Sequence, residues 1–285
     1  MDDSARRTKV EWRPWGPDAF AAARREGKPV LLSLSARWCE WCRTMDEGAY
    51  SEPGLAANVN DGFVPVRVDA DRNPRVRERY TVGGFPSTVF LTPQGDLLSG
   101  ATYLDAEGLR SVVERVREAY ADRGDDAGRV PRALRDTAPP AGEVSAEIER
   151  LVAGQVETQY DDRFGGWGTD AKFPLPHTIR FALKRDREKA VGALDAVERS
   201  LFDDVDGGFF RYAAGRDWSD VQHEKLLEAN AALLGTYADA YLATGEETYH
   251  DTAERVCDYL VTTLWTGAAF GGAQEPGDYF ERSAT

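Results

Sequence analysis

Two cysteines separated by two residues, in Trp38-Cys39-Glu40-Trp41-Cys42, sit where one periodicity gives way to another. The run before them, Val30-Leu31-Leu32-Ser33-Leu34-Ser35, is short and apolar, the pattern of a strand covered on both faces. The residues after them hold no Gly or Pro until Gly48 and can start a helix. Further along, Gly83-Gly84-Phe85-Pro86-Ser87-Thr88 leads into a second apolar run, Val89-Phe90-Leu91. A thiol pair at a strand-to-helix turn, followed later by a Gly-aromatic-Pro-Ser-Thr before another strand, points to thiol–disulfide exchange.

The rest of the first segment, residues 9–121, fits that arrangement. Pro17 to Arg25 reads as a short helix, Pro29 to Leu34 as a strand, and Cys39 to Tyr50 as a helix beginning at the cysteines. Gly62 to Asp69 reads as a second strand, Asn73 to Tyr80 as a short helix and Ser87 to Thr92 as a third strand. Pro93-Gln94-Gly95-Asp96 turns into Leu97-Leu98, and Leu104 to Tyr120 closes the segment with Leu109, Val112, Val113 and Val116 at helical spacing. Strands alternating with helices predict an α/β layer fold. The layout, a CxxC at a helix start with a later Gly-aromatic-Pro-Ser-Thr, is that of a thioredoxin-like redox site.

Residues 122–142, rich in charge, Gly and Pro and without apolar period, read as a linker. Residues 143–285 form a second, nearly all-helical domain, with helices expected over Val144–Tyr160, His177–Lys184, Lys189–Phe202, Gln222–Thr244 and Glu247–Trp265. A Gly pair beside an aromatic recurs between them: Phe164-Gly165-Gly166-Trp167, Gly207-Gly208-Phe209 and Phe270-Gly271-Gly272. Repeated helical hairpins joined by such loops fit an α/α toroid or an irregular bundle equally well. Phe280 to Thr285 follow the third Gly pair without a closing helix, so a truncated toroid or a half that dimerises is expected.

The net charge of −14, with only six Lys among 35 basic residues, repels nucleic acid and anionic membrane. Neither is expected as a partner. An acidic start, Met1-Asp2-Asp3-Ser4, has no signal-peptide character, and a cytoplasmic location follows. Acid excess with scarce Lys also fits a halophile's acidic proteome. Three cysteines do not make a disulfide scaffold, and Cys257, in a helical pattern, is expected to play a structural rather than a reactive role.

Cys39 at a helix N-terminus would gain the dipole and the unpaired N–H groups there, lowering its pKa; Cys42, one turn in, would be the more buried, resolving thiol. Glu40 opposes a low pKa and Arg43 favours it. Trp38, Trp41, Phe85 and Pro86 are candidate substrate-positioning residues around the pair. His177, His223 and His250 lie scattered in the other segment, so a zinc site using the cysteines lacks ligands. No metal and no cofactor is expected.

Several motifs together, Cys39-Glu40-Trp41-Cys42-Arg43-Thr44-Met45, Lys172-Phe173-Pro174, Asp206-Gly207-Gly208-Phe209-Phe210-Arg211-Tyr212, and Asp217-Trp218 with Glu224-Lys225-Leu226-Leu227 and Asn230-Ala231, resemble the two-domain DUF255 proteins, relatives of spermatogenesis-associated protein 20. The resemblance spans nearly the whole chain. It implies an α/β thioredoxin-like domain followed by an all-α, six-hairpin (α/α) toroid, here partial because family members are commonly about twice this length. The chain departs from the family where Glu40 and Arg43 replace usual histidines and where Gln222 stands for a His before the Glu-Lys pair. Ser33 stands six residues before Cys39, where thioredoxin proper has a buried acid, so proton relay by that route is not expected.

Toroids of the related kind bind sugars at their loop ends and use carboxylates there. Lys172, Asp206, Arg211, Asp217, His223, Glu224 and Lys225 are the candidates for such a site, with His223, Glu224 and Lys225 expected at the start of a long helix. Three functions follow as expectations. One is a thiol–disulfide oxidoreductase acting on a protein or small-molecule disulfide and recharged by a thioredoxin-reductase-type reductant. A second is a sugar-processing or sugar-binding toroid with a regulatory or vestigial thioredoxin-like domain. The third is a binding module without catalysis.

Overall fold

The computed structural model describes residues 8–131, 142 and 145–276. The chain divides into two compact units, Met1–Pro139 and Pro140–Thr285.

In the first unit a five-stranded sheet runs in the order β1-β3-β2-β4-β5. Its strands are β1 (Arg13–Pro14), β2 (Val30–Ser35), β3 (Val64–Asp69), β4 (Ser87–Leu91) and β5 (Leu97–Ala101). β1, β3 and β2 are mutually parallel, whereas β4 runs antiparallel to both β2 and β5. Helices α1 (Pro17–Glu26), α2 (Glu40–Glu47), α3 (Pro53–Gly62), α4 (Pro74–Tyr80) and α5 (Ala106–Arg123) cover the sheet. Alternation along β2 explains its unbroken apolar run. Leu31 joins Met45, Tyr50, Leu55, Val59, Leu109 and Val113 of α2, α3, α5 and the turn between. Val30, Leu32 and Leu34 face Ala19, Ala23 and Tyr80 of α1 and α4. Both faces are core, so both alternate sets are largely apolar, with Ser33 the buried polar exception. This is a thioredoxin-like α/β fold.

The differences from the sequence reading are local. The CxxC helix stops at Glu47, and Gly48 introduces a 3₁₀ turn, Ala49–Ser51. α3, which periodicity did not disclose, starts at Pro53 with the Glu52 carboxylate accepting the amides of Gly54 and Leu55. α5 runs to Arg123, and Arg129 bridges to Leu97, so the expected linker begins inside ordered structure of the first unit. Residues 132–141 of that linker, and 277–285 at the other end, lie outside the described residues.

The second unit packs α6 (Ala146–Thr158), α7 (Pro176–Leu183), α8 (Arg187–Leu201), α9 (Leu227–Thr244) and α10 (Glu247–Tyr259) as helical hairpins, with α9 between α7 and α10. Ile179, Leu194, Val197, Leu233, Tyr237 and Val256 form its core. This is the partial (α/α) toroid layout. Short pairs decorate it: β6 (Tyr212–Ala213) with β7 (Val221–Gln222), and β8 (Lys225–Leu226) with β9 (Ala273–Gln274). The helix expected from Gln222 therefore begins at Leu227. Gln222 and Lys225 pair as strands, and His223 and Glu224 lie between those strands rather than at a helix start. The last helix also ends earlier than expected, passing into a π turn over Leu260–Leu264.

The Gly-pair loops are a structural repeat. In the first, Tyr160 bridges to Trp167, and in the second, at the same offsets, Phe202 bridges to Phe209, each pair in edge-to-face contact. Gly165, Gly166, Gly207 and Gly208 all have φ between 70° and 75°, a region closed to residues with a β-carbon except at a cost. The third loop is tighter: Trp265 bridges to Phe270, ahead of its Gly pair.

Candidate functional site

Cys39 and Cys42 are joined by a disulfide with Cα atoms 5.2 Å apart. Cys39 is the N-cap of α2, in extended conformation, and its Sγ accepts the Cys42 amide at 3.0 Å. An N–H aimed at sulfur from a helix N-terminus is the local feature that stabilises a thiolate after reduction. In the disulfide both cysteines are buried, Cys39 at 4% and Cys42 at 2% exposure. Both sulfurs belong to the end of a helix whose inner face, with Met45, is locked into the core.

Trp38 is buried, its indole N–H donating to Asp71 at 2.8 Å and its ring meeting Phe85 edge to face at 5.6 Å. The Phe85–Pro86 peptide is cis. Gly83, at φ 112°, gives the loop its entry, and Ser87 fixes it by donating to the Gly84 carbonyl and accepting the Val82 amide. Trp41 behaves differently from Trp38. It is 51% exposed and packs against exposed Tyr103 with ring centroids 5.0 Å apart. Tyr103 escaped the sequence reading because it follows β5, far along the chain from the cysteines, with no motif around it.

Ser33 stands in register with Thr88 across β2 and β4, and Thr88 lies 3.4 Å from the Tyr50 hydroxyl. A set of buried hydroxyls thus occupies the strand position where an acid was missing. Burial pushes the Tyr50 pKa up, against the pull of Thr88, Arg67 and Ser33. The buried carboxylate in this unit's core is instead Asp46, on α2, paired with Arg67 of β3.

In the second unit the seven candidates separate. Lys172 and Lys225 are fully buried, at 0% and 1% exposure, each in the same kind of lock. Lys172 Nζ donates to Asp161 Oδ2 at 2.8 Å and to the Gly165 carbonyl; Lys225 Nζ donates to Asp203 Oδ2 and to the Gly207 carbonyl. Asp161 and Asp203 also accept amides two and three residues on. Arg216 adds a two-pronged contact to Asp161 and, with Lys172, holds that carboxyl well below the usual range. Burial pushes the Lys225 pKa down, with Asp203 opposing. The sequence reading singled out Asp206; the loop aspartates that matter to the locks are Asp161 and Asp203, each four residues before the first Gly of its pair, a spacing that repeats in the sequence.

Arg211, His223 and Glu224 do come together. Arg211 Nη1 donates to Glu224 Oε1 at 2.9 Å, and His223 meets Phe210 edge to face at 4.9 Å. Beside them Phe173 stacks on Tyr212 at 4.6 Å and 7° between planes, with Arg211 over the Tyr212 ring. Asp217 is engaged by Ser219 at the tip of the hairpin, which lowers its pKa, and Asp206 is exposed on its loop. Among the described residues, positive φ at non-glycine positions falls at Leu175, the N-cap of α7, and at Trp218 and Asp220 in the β6–β7 hairpin. Cys257 is exposed. Glu247, His250 and Asp251 bring ligand atoms within 4.8 Å of one another on the surface of α10. Among the described residues, no helix is long and apolar enough to cross a membrane.

The family Thioredox_DsbH, described as a protein of unknown function, DUF255, matches residues 3–137. That match covers nearly all of the first unit. Over 90% of its length the chain aligns at 29% identity with spermatogenesis-associated protein 20 of Homo sapiens, and it spans 37% of that protein's length. The chain is also similar to thiol:disulfide interchange protein DsbD 1 of Pseudomonas aeruginosa, 32% identical over 35% of this chain and 18% of that protein. Among solved structures, the cellobiose 2-epimerase of Spirochaeta thermophila superposes at a TM-score of 0.39 with 18% identity, covering 47% of this chain and 41% of that one.

Proposed function

We propose that the first unit is a thiol–disulfide oxidoreductase with Cys39 as nucleophile and Cys42 as resolving thiol. The observation that carries this reading is the Cys42 amide directed at Cys39 Sγ from the N-terminus of α2. In the reduced protein the Cys39 thiolate attacks one sulfur of a substrate disulfide, forming a mixed disulfide and expelling the other sulfur as a thiolate. Cys42 then attacks the Cys39 sulfur, releasing the second substrate thiol and leaving the Cys39–Cys42 disulfide. The substrate gains two electrons and two protons, and a dithiol reductant restores the enzyme. Trp38, Phe85 and Pro86 position substrate; Trp41 joins them from the exposed side. Similarity to an interchange protein supports disulfide substrates as the class. Equilibration of the full chain in glutathione or dithiothreitol buffers, with alkylation of thiols and mass readout, tests the reading. A reversible two-electron transition between roughly −120 and −270 mV supports it; cysteines that stay unpaired under oxidising buffer overturn it.

A second reading assigns sugar binding to the helical unit. It is favoured by the stacked Phe173 and Tyr212 beside the Arg211–Glu224 pair, an aromatic face next to hydrogen-bonding charges. Lys172 and Lys225, committed to their locks, are left out of it. A screen of mono- and disaccharides by calorimetry, with Tyr212→Ala as control, tests this reading, and no saturable binding overturns it.

A further inference from the structure

A cavity of about 470 Å³ lies in the first unit at the carboxyl ends of its three parallel strands. Pro14 ends β1, Ser35 ends β2, and Val68 with Asp69 ends β3, and all four line it. Loops diverge beyond the carboxyl ends of parallel strands, and such crevices are the usual ligand sites of open α/β sheets. The volume is that of a small-molecule site.

The lining is charged against the character of the molecule. Arg13, Arg37, Arg67 and Arg72 contribute four guanidinium groups, against the carboxylates of Asp46 and Asp69. A chain with a net charge of −14 thus concentrates a positive excess in one concave place, where low-dielectric walls focus the field. Arg67 is built in: it donates through both terminal nitrogens to Asp46, lies 4.3 Å over the Trp12 ring, and keeps a buried Nε–H without a partner among the described residues. Arg13 and Arg72 reach Glu26 and Asp69 only at 3.8 and 3.7 Å, and loose pairs between exposed groups hold a guanidinium weakly. Their forks remain able to turn to an oxyanion, which they match two donors at a time.

We propose that this cavity binds a small organic anion, bearing phosphate or carboxylate groups on a compact body that lies alongside Trp12. Its wall at Ala36 and Arg37 continues directly into Trp38 and Cys39. The assignment does not depend on the redox reading.

Calorimetric titration of the full chain with adenosine monophosphate and with citrate, at ionic strength matched with sodium chloride, tests it. The Trp12 indole N–H and the Ser35–Arg37 amides are followed in parallel by NMR. The expected result is saturable binding of at least one probe with shifts centred on those groups. Binding is expected to weaken about tenfold or more in Arg37→Gln/Arg72→Gln. Both positions are exposed, and Arg13→Gln serves as the second variant if the double variant melts early. The stronger of the two probes tells phosphate from carboxylate as the natural source. Absence of saturation with both probes, shifts spread over arginines elsewhere, or undiminished binding by the variants overturns the proposal.

Discussion

The Lys172 ammonium donates to the Asp161 carboxylate at 2.8 Å with both side chains shut away from water, and Lys225 and Asp203 repeat the arrangement in the next Gly-pair loop. A buried pair of this kind adds little over a well-packed apolar replacement, but losing one partner strands a charge. Lys225→Met is therefore expected to destabilise the second unit by about 3 kcal/mol, and Lys172→Met by less, because Arg216 still holds the Asp161 carboxylate. The double replacement Lys225→Met/Asp203→Leu should recover part of that loss. Denaturant melts of the four proteins check this, and single variants as stable as the parent would show that the locks are ornamental.

Arg216 and Lys172 together give the Asp161 lock a pH signature. Because the Asp161 pKa is depressed in the folded chain, the unfolded chain binds the proton more readily. The contribution is fully present above the unfolded carboxylate value, about 3.9, and is lost as pH falls toward the folded value. Arg216→Gln removes the largest lowering influence and narrows that gap. Its destabilisation should be evident at pH 7 and shrink as pH drops below 4. A difference in melting temperature between Arg216→Gln and parent that stays constant from pH 7 to 3 would contradict this.

Much of this was legible in the sequence, for reasons that differ by element. β2 and β4 could be read because burial on both faces leaves no polar alternation, and the CxxC fixes where the helix begins. α3 could not be read, because its start depends on Glu52 and Pro53 acting as cap and first turn rather than on an apolar stripe. The early end of the CxxC helix is set by Gly48, a residue too permissive to be decisive by itself. At Gln222–Leu226 helical composition was overridden by pairing: Gln222 with Tyr212, and Lys225 with Gln274. The locks themselves were half visible. Lys172 and Lys225 stood out as rare lysines near the loops, but a lysine's burial is not written in its neighbours, and their partners emerged only once the loops were folded.

Roles within the CxxC separate by substitution. Cys39→Ser should abolish disulfide reductase activity, since no other thiol sits at the N-cap of α2. Cys42→Ser should retain the first attack and accumulate a mixed disulfide that mass spectrometry detects as one substrate adduct at Cys39. Adducts at Cys42 in Cys39→Ser, formed as fast as the Cys39 adduct, would reverse the assignment.

Trp41 and Tyr103 offer the last distinction. They form an exposed aromatic pair at the edge of a disulfide that is itself covered, and exposed tryptophans of this kind are the side chains whose loss most weakens docking of a protein surface. If disulfides carried on a polypeptide are the substrates, Trp41→Ala should raise KM for a folded protein disulfide about tenfold. It should change the rate toward a small aromatic disulfide, which needs no such platform, much less. Tyr103→Ala should follow in the same direction with a smaller effect, because its ring supports Trp41 while exposing less surface of its own. The reduction potential, set at the sulfurs and the Cys42 amide, should stay unchanged in both variants. Steady-state kinetics on the two substrate kinds, alongside redox titration of each variant, decide the matter: an equal loss toward both substrates together with a shifted potential would mean that the pair supports the disulfide itself rather than the docking of its substrate.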